Sequence, residues 1–483
     1  MPRLALLTIA LLLIAPQTVI AKDKKDKKSD KPSYVINLHI NGATDDTVYL
    51  GNYYAKGTYA IDTAINDGKG NYHFSRDIEL KDGLYFFTNQ KGKFFEFVIY
   101  KETPKFSFTT DNNDWKRNVK VKGSRENEIF FAFHNERSSL TDALEAASKK
   151  VEAKTMTKEE FEAFRSSQLL KNDSLMMKYI SQYPDCMFTK MMNATKPIEV
   201  PLVDDHGDSL TANQRWEYYA DHCFDNMPLD EDFLIRTPEN VFHKKFEDYM
   251  NTTLKHTMPS FIVSHWDKII DRSRPSPEMF KYLVHTVTEH YLQSNVMVYD
   301  SVYVHMIHRY YATGDAVWAS PSSIDDNVKR ADTWEKILVG KQAPELILKD
   351  TLGAYHSLTM ECNRHQYTLL IFWSPTCGHC KVTIPEMREV LDKYGKQYDI
   401  APFAILSEPD DATRPKWKKF INDHNLNWLN LDGGECNVDW KEVYDVTTTP
   451  KIFLLDRNRK IIAKKFSAQV FEDLIKNQLE PAK

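Results

Sequence analysis

The residues best suited to chemistry stand at Cys377-Gly-His-Cys380, immediately after the apolar run Tyr367 to Trp373 and the short segment Ser374-Pro-Thr376. This pattern predicts a strand, a turn and a helix, with Cys377 at the helix N-terminus and Cys380 one turn further in. Free backbone N–H groups and the positive end of the helix dipole favour a thiolate at the first of these positions. Cys377 is therefore the expected nucleophile, and Cys380 the thiol that resolves a mixed disulfide. Gly378 and His379 bear on redox poise, because an imidazole beside the pair stabilises the Cys377 thiolate and makes the disulfide more oxidising. The same spacing is half of a zinc site, but no second pair with suitable spacing occurs in the chain. No metal is expected, and no cofactor beyond the Cys377–Cys380 disulfide itself.

Elements downstream must hold this pair in place. The sequence predicts a strand from Asp399 to Leu406, a helix from Asp411 to His424, a short strand around Trp428, and then Thr449-Pro450. A hairpin follows, from Ile452 to Leu455 and from Ile461 to Phe466, turning at Asp456 to Arg459, and an amphipathic segment from Val470 to Leu479 closes the series. This order resembles the thioredoxin superfamily, which implies an α/β fold with Pro450 as a cis proline facing the two thiols. The lead-in Gly340-Lys-Gln-Ala-Pro344-Glu-Leu-Ile-Leu-Lys-Asp350, with Ser357-Leu358 after it, narrows the resemblance to exported TlpA-like and ResA-like reductases. It implies a substrate groove formed by Trp373, Pro375, Thr449 and Pro450. Two positions depart from the pattern: Ile371 stands where an acid or amide is usual, and Thr383 where ResA-like proteins carry Glu. A proton relay for Cys380 is thus missing from its usual places. Peroxiredoxins share the lead-in, and Ser374 would fit their motif, but Leu370 stands where they need proline.

The chain has 483 residues, 42% hydrophobic, with a formal net charge of −5, a balance that argues against nucleic acid as a partner. Met1-Pro-Arg3, the apolar run Leu4 to Ala15 and Val19-Ile-Ala21 read as a signal peptide over residues 1–21. Export to the periplasm, an oxidising compartment, is the expected destination. Residues 22–33 form a charged linker whose Lys22–Lys31 run is a solvated tether able to touch a membrane weakly. Short alternating runs broken by turns predict an antiparallel β-sandwich over residues 34–124. Apolar spacing of three and four predicts an all-α domain over residues 125–335, with helices at 126–134, 140–152, 158–179, 214–223, 241–254, 278–293 and 298–311 and prolines such as Pro259 between them. Residues 336–483 form the thioredoxin-like domain. The first two domains resemble regions of unknown function that precede the thioredoxin domain in a group of exported bacterial proteins.

Cys186, Cys223, Cys362 and Cys436 are candidates for structural disulfides, paired within their own domains, or are buried free thiols. His305 and His308 share a helix face without a third ligand at suitable spacing, which favours packed or surface histidines. The expected function is a periplasmic thiol:disulfide oxidoreductase that reduces or isomerises disulfides of exported proteins. Its partners would be those proteins and a membrane thiol donor or acceptor. Thiol oxidation or peroxiredoxin-like antioxidant activity is the alternative within the same chemistry. A partner-binding scaffold with a thioredoxin-like docking domain is the alternative of another class.

Overall fold

The computed structural model describes residues 32–482 apart from position 118, so the signal-like segment and the Lys22–Lys31 run lie outside the described residues. Eight strands come first: β1 (Tyr34–Asn41), β2 (Thr47–Tyr54), β3 (Gly57–Ile65), β4 (Asn71–Arg76), β5 (Gly83–Thr88), β6 (Phe94–Ile99), β7 (Lys105–Asp111) and β8 (Lys120–Lys122). They form two four-stranded sheets, ordered β4-β1-β7-β8 and β3-β2-β5-β6. Alternation produces this arrangement, since Tyr34, Ile36, Leu38 and Ile40 of β1 all turn inward. In the aromatic core Phe87 stacks on Phe97 with centroids 4.8 Å apart and meets Phe95 and Phe108 edge-on. Strands β1 and β7 run parallel, from Val35 opposite Lys105 to Asn41 opposite Asp111, whereas the other pairs of these sheets are antiparallel. Alternating burial says nothing about the direction of a neighbour, so this pair was not legible beforehand.

Helices α1 (Arg125–Glu152), α2 (Lys158–Gln182), α3 (Met187–Ala194), α4 (Ala212–His222), α5 (His243–Asp248), α6 (Pro259–Arg272), α7 (Pro277–Leu292), α8 (Asp300–Met306) and α9 (Pro321–Lys336) follow. The two predicted segments 126–134 and 140–152 are one helix, α1, because no Gly or Pro separates them. Pro259 begins α6 instead of dividing helices, since the first turn leaves its N–H unpaired in any case. Phe131 of α1 meets Phe95 and Phe108 edge-on, so the helices continue the sandwich core. One hydrophobic cluster runs from Tyr34 to Trp334.

The remaining elements are β9 (Ile347–Asp350), β10 (Tyr355–Ser357), α10 (Leu358–Arg364), β11 (Tyr367–Trp373), α11 (Gly378–Tyr394), β12 (Ile400–Leu406), α12 (Arg414–Asp423), β13 (Leu429–Cys436), α13 (Trp440–Val443), β14 (Lys451–Asp456), β15 (Ile461–Lys464) and α14 (Ala468–Gln478). Their strands form a seven-stranded sheet, β10-β9-β13-β12-β11-β14-β15. Every residue of β11 is buried, as expected for a strand covered on both faces. It pairs in parallel with β12 and antiparallel with β14. One apolar cluster on this sheet holds Trp373, Cys380 and Trp417, and a second holds Phe372, Trp440 and Tyr444. Lys464 of β15 and Asp300 of α8 form an ion pair buried to 3% exposure on each side.

Candidate active site

The end of β11 and the start of α11 present the two thiols. Ser407 fixes the strand end, its backbone N–H and hydroxyl both donating to the Trp373 carbonyl at 2.8 and 3.0 Å. Helix α11 then buries Cys380, Ile384, Met387, Val390 and Leu391, a three-and-four spacing that turns one face to the sheet. Cys377 is its N-cap residue, and its sulfur accepts the Cys380 backbone N–H at 3.5 Å. Across the gap, the Thr449–Pro450 bond is cis and the Cys377 thiol donates to the Thr449 carbonyl at 3.2 Å.

These neighbours drive the two thiols apart. Burial works against ionisation of Cys377, but the Thr449 side chain, the Cys380 backbone and thiol, and the His379 backbone outweigh it and hold the thiol below its ordinary pKa. Burial pushes Cys380 up to about 12, with Cys377 itself adding to the rise. At neutral pH Cys380 is therefore held as the thiol. Cys377 is half-buried and open to attack a disulfide, whereas Cys380 is 0% exposed and reaches Cys377. Gly378 and His379 are exposed beside them.

Two residues expected in the groove are elsewhere. Trp373 is 0% exposed and packs on Phe420 at 5.2 Å, so it supports the site from beneath. Pro375 is buried as well, because the turn folds it inward from a strand with no open face. Thr449 and Pro450 are half-buried beside Cys377. The four remaining cysteines are free, and neither candidate bridge forms. Each thiol faces other groups: Cys186 the Glu126 carboxyl, Cys223 the Tyr219 hydroxyl, Cys362 the Thr368 hydroxyl and Cys436 the Asn437 amide oxygen at 3.3 Å. His305 pairs with Asp267 at 3.0 Å and His308 with Asp332 at 2.9 Å.

A polar cluster adjoins the nucleophile. Glu408, just beyond β12, accepts from Ser374 Oγ at 2.6 Å and from Thr376 Oγ1 at 2.5 Å, and those hydroxyls are 2.7 Å apart. The two hydroxyls hold the Glu408 carboxyl below its ordinary pKa. Ile371 is fully buried on β11 and Thr383 is half-buried on α11, so neither brings a carboxylate to Cys380. Two hydroxyl residues ahead of a cysteine were the available signal for this cluster; the strand pairing that brings Glu408 to them was not.

Residues 365–461 match a family described as thioredoxin-like, and residues 34–130 match a domain of unknown function, DUF4369. The chain is similar to the thiol-disulfide oxidoreductase ResA of Bacillus cereus, 26% identical over 141 residues, which are 29% of this chain and 76% of that protein. It is also similar to ResA of Geobacillus thermodenitrificans, 29% identical over 147 residues, 30% of this chain and 79% of that protein. A thioredoxin-like protein from Bacteroides caccae of known structure is 20% identical, with a TM-score of 0.47 over 59% of this chain and 99% of its own.

Proposed function

We propose that this chain, a thiol:disulfide oxidoreductase with a thioredoxin-like domain, is exported to the periplasm and there reduces or isomerises disulfides of other exported proteins. The observation that carries the chemistry is the opposed environment of Cys377 and Cys380. The Cys377 thiolate attacks one sulfur of a substrate disulfide, forming a mixed disulfide and expelling the first substrate thiolate. Cys380 then loses its proton and attacks Cys377 Sγ, which releases the second substrate thiolate and leaves a Cys377–Cys380 disulfide. A membrane dithiol donor returns two electrons to that disulfide for the next cycle. Thr449 and Pro450 line the edge on which the substrate backbone lies. Export is supported by the sequence of residues 1–21, and the Lys22–Lys31 run would allow a weak membrane contact.

A second reading, net oxidation of substrate thiols, is favoured by the stabilised Cys377 thiolate, since stabilising the reduced form raises the potential. Reduction of insulin by dithiothreitol-fed protein tests the chemistry: wild type accelerates precipitation of the insulin B chain, and Cys377→Ser does not. Equilibration with glutathione buffers tests the direction. A potential near about −270 mV supports reduction, one near about −180 mV isomerisation, and one near about −120 mV oxidation.

A further inference from the structure

We infer that the helical region positions the redox site, with Trp334 of α9 holding the loop that carries Thr449 against the two thiols. This inference rests on Cys377 and Cys380 being the working pair. The loop covers residues 444–450, between α13 and β14, and Asp445 near its start is tied to Lys451, the first residue of β14. Lys451 Nζ lies 3.3 Å from the Asp445 carboxylate and also donates to the Asp445 carbonyl. That ammonium is only 15% exposed, and burial brings Lys451 down to about 8. An ammonium so enclosed needs its counter-charge to stay in place. Asp445 itself adopts a left-handed backbone at φ 49°, a conformation that its surroundings must hold.

The second group on this carboxylate comes from outside the thioredoxin-like domain. Trp334 Nε1 donates to Asp445 Oδ2 at 2.8 Å across 111 positions of sequence. Trp334 is in turn held firmly. The Lys465 ammonium lies over its ring at 4.9 Å, and the Ile337 carbonyl at the end of α9 accepts from the buried Lys464 Nζ at 2.7 Å. Between Asp445 and Lys451 lies Thr449, whose carbonyl accepts the Cys377 thiol and whose side chain lowers the pKa of both cysteines. A shift of this loop therefore reaches both sulfurs, and α9 is the element of the helical region that opposes such a shift.

The test is Trp334→Phe in the full chain, which keeps an aromatic ring for packing and removes the N–H. Fold is checked by circular dichroism and thermal melting. The expected result is a Cys377 alkylation profile displaced to higher pH, with the rate at pH 7 down about threefold, and a shifted equilibrium with glutathione. Asp445→Asn, which leaves the helical region untouched, should move both in the same direction and serves as the readout if Trp334→Phe does not fold. Lys329→Ala removes an exposed ion pair to Glu442, 2.6 Å long, at the same contact and should change neither. Wild-type values in folded Trp334→Phe, or in Asp445→Asn where Trp334→Phe fails to fold, would overturn the inference. So would an equal shift in Lys329→Ala, which would mean a general loosening of the contact. Alkylation needs no substrate, so a wild-type protein inactive on insulin would refute the proposed function while leaving this result standing.

Discussion

In the region from Tyr34 to Trp334, burial sets the ionisation of both cysteines and of several other enclosed groups. Cys186 and Cys223 are pushed up, Glu126 rises to about 7, and His134 and His243 fall to about 4, each with burial as the largest cause. Every one of these groups has moved toward its neutral form, as a group does when a core closes around it. The thioredoxin-like region contains the same effect at Cys362 and Cys380, but Cys377 moves against it. The difference teaches how to separate packing from chemistry among the cysteines of this molecule. A shift that burial explains is compatible with structure alone, whereas one that opposes burial requires donors aimed at the charge, and here the donors converge on a thiol at a helix start.

The comparison is broken most severely at the boundary between the regions. Asp300→Ala leaves the Lys464 ammonium without its carboxylate at a site 3% exposed and should cost about 3–5 kcal/mol in denaturant unfolding. A loss below about 1 kcal/mol would mean that the two regions are not joined through this pair.

The first region should then reveal its packing character through pH. Glu126 is 7% exposed, accepts the Met187 N–H at 3.2 Å, and has a folded pKa of about 7 against an ordinary 4.5. Because the folded value is the higher one, its contribution is fully present below pH 4.5 and is lost as pH rises through about 7. The loss amounts to about 3 kcal/mol, and Glu126→Gln should flatten it in urea titrations between those limits. An unchanged slope in the variant would place the pH dependence elsewhere.

The smallest effect sharpens the reactive side. Glu408→Gln keeps an acceptor for Ser374 and Thr376 but removes a negative charge beside the nucleophile. Alkylation of Cys377 at pH 7 should quicken about two- to threefold. Slower alkylation would show that the carboxylate acts by ordering the turn and not through its charge.

Legibility in the sequence followed the range of the interactions concerned. Cys377, Cys380 and the strand before them are neighbours in sequence, so spacing and an apolar run sufficed to place them. Thr449-Pro450 was placed by family resemblance, and the structure brings it to the Cys377 thiol. Trp373 was misplaced because a pattern of apolar residues does not say that the sheet is covered on both faces. Glu408 was missed because the pairing of β11 with β12 brings it to Ser374. The parallel pairing of β1 with β7 and the reach of Trp334 to Asp445 depend likewise on long-range packing.

The most direct measurement of the central claim is disulfide trapping. Cys380→Ser is incubated with oxidised insulin, quenched with acid and analysed by non-reducing mass spectrometry with peptide mapping. The account predicts a one-to-one adduct through Cys377, and no adduct when the same experiment uses Cys377→Ser. Absence of the adduct in Cys380→Ser, or its appearance at Cys436 or another cysteine, would contradict it.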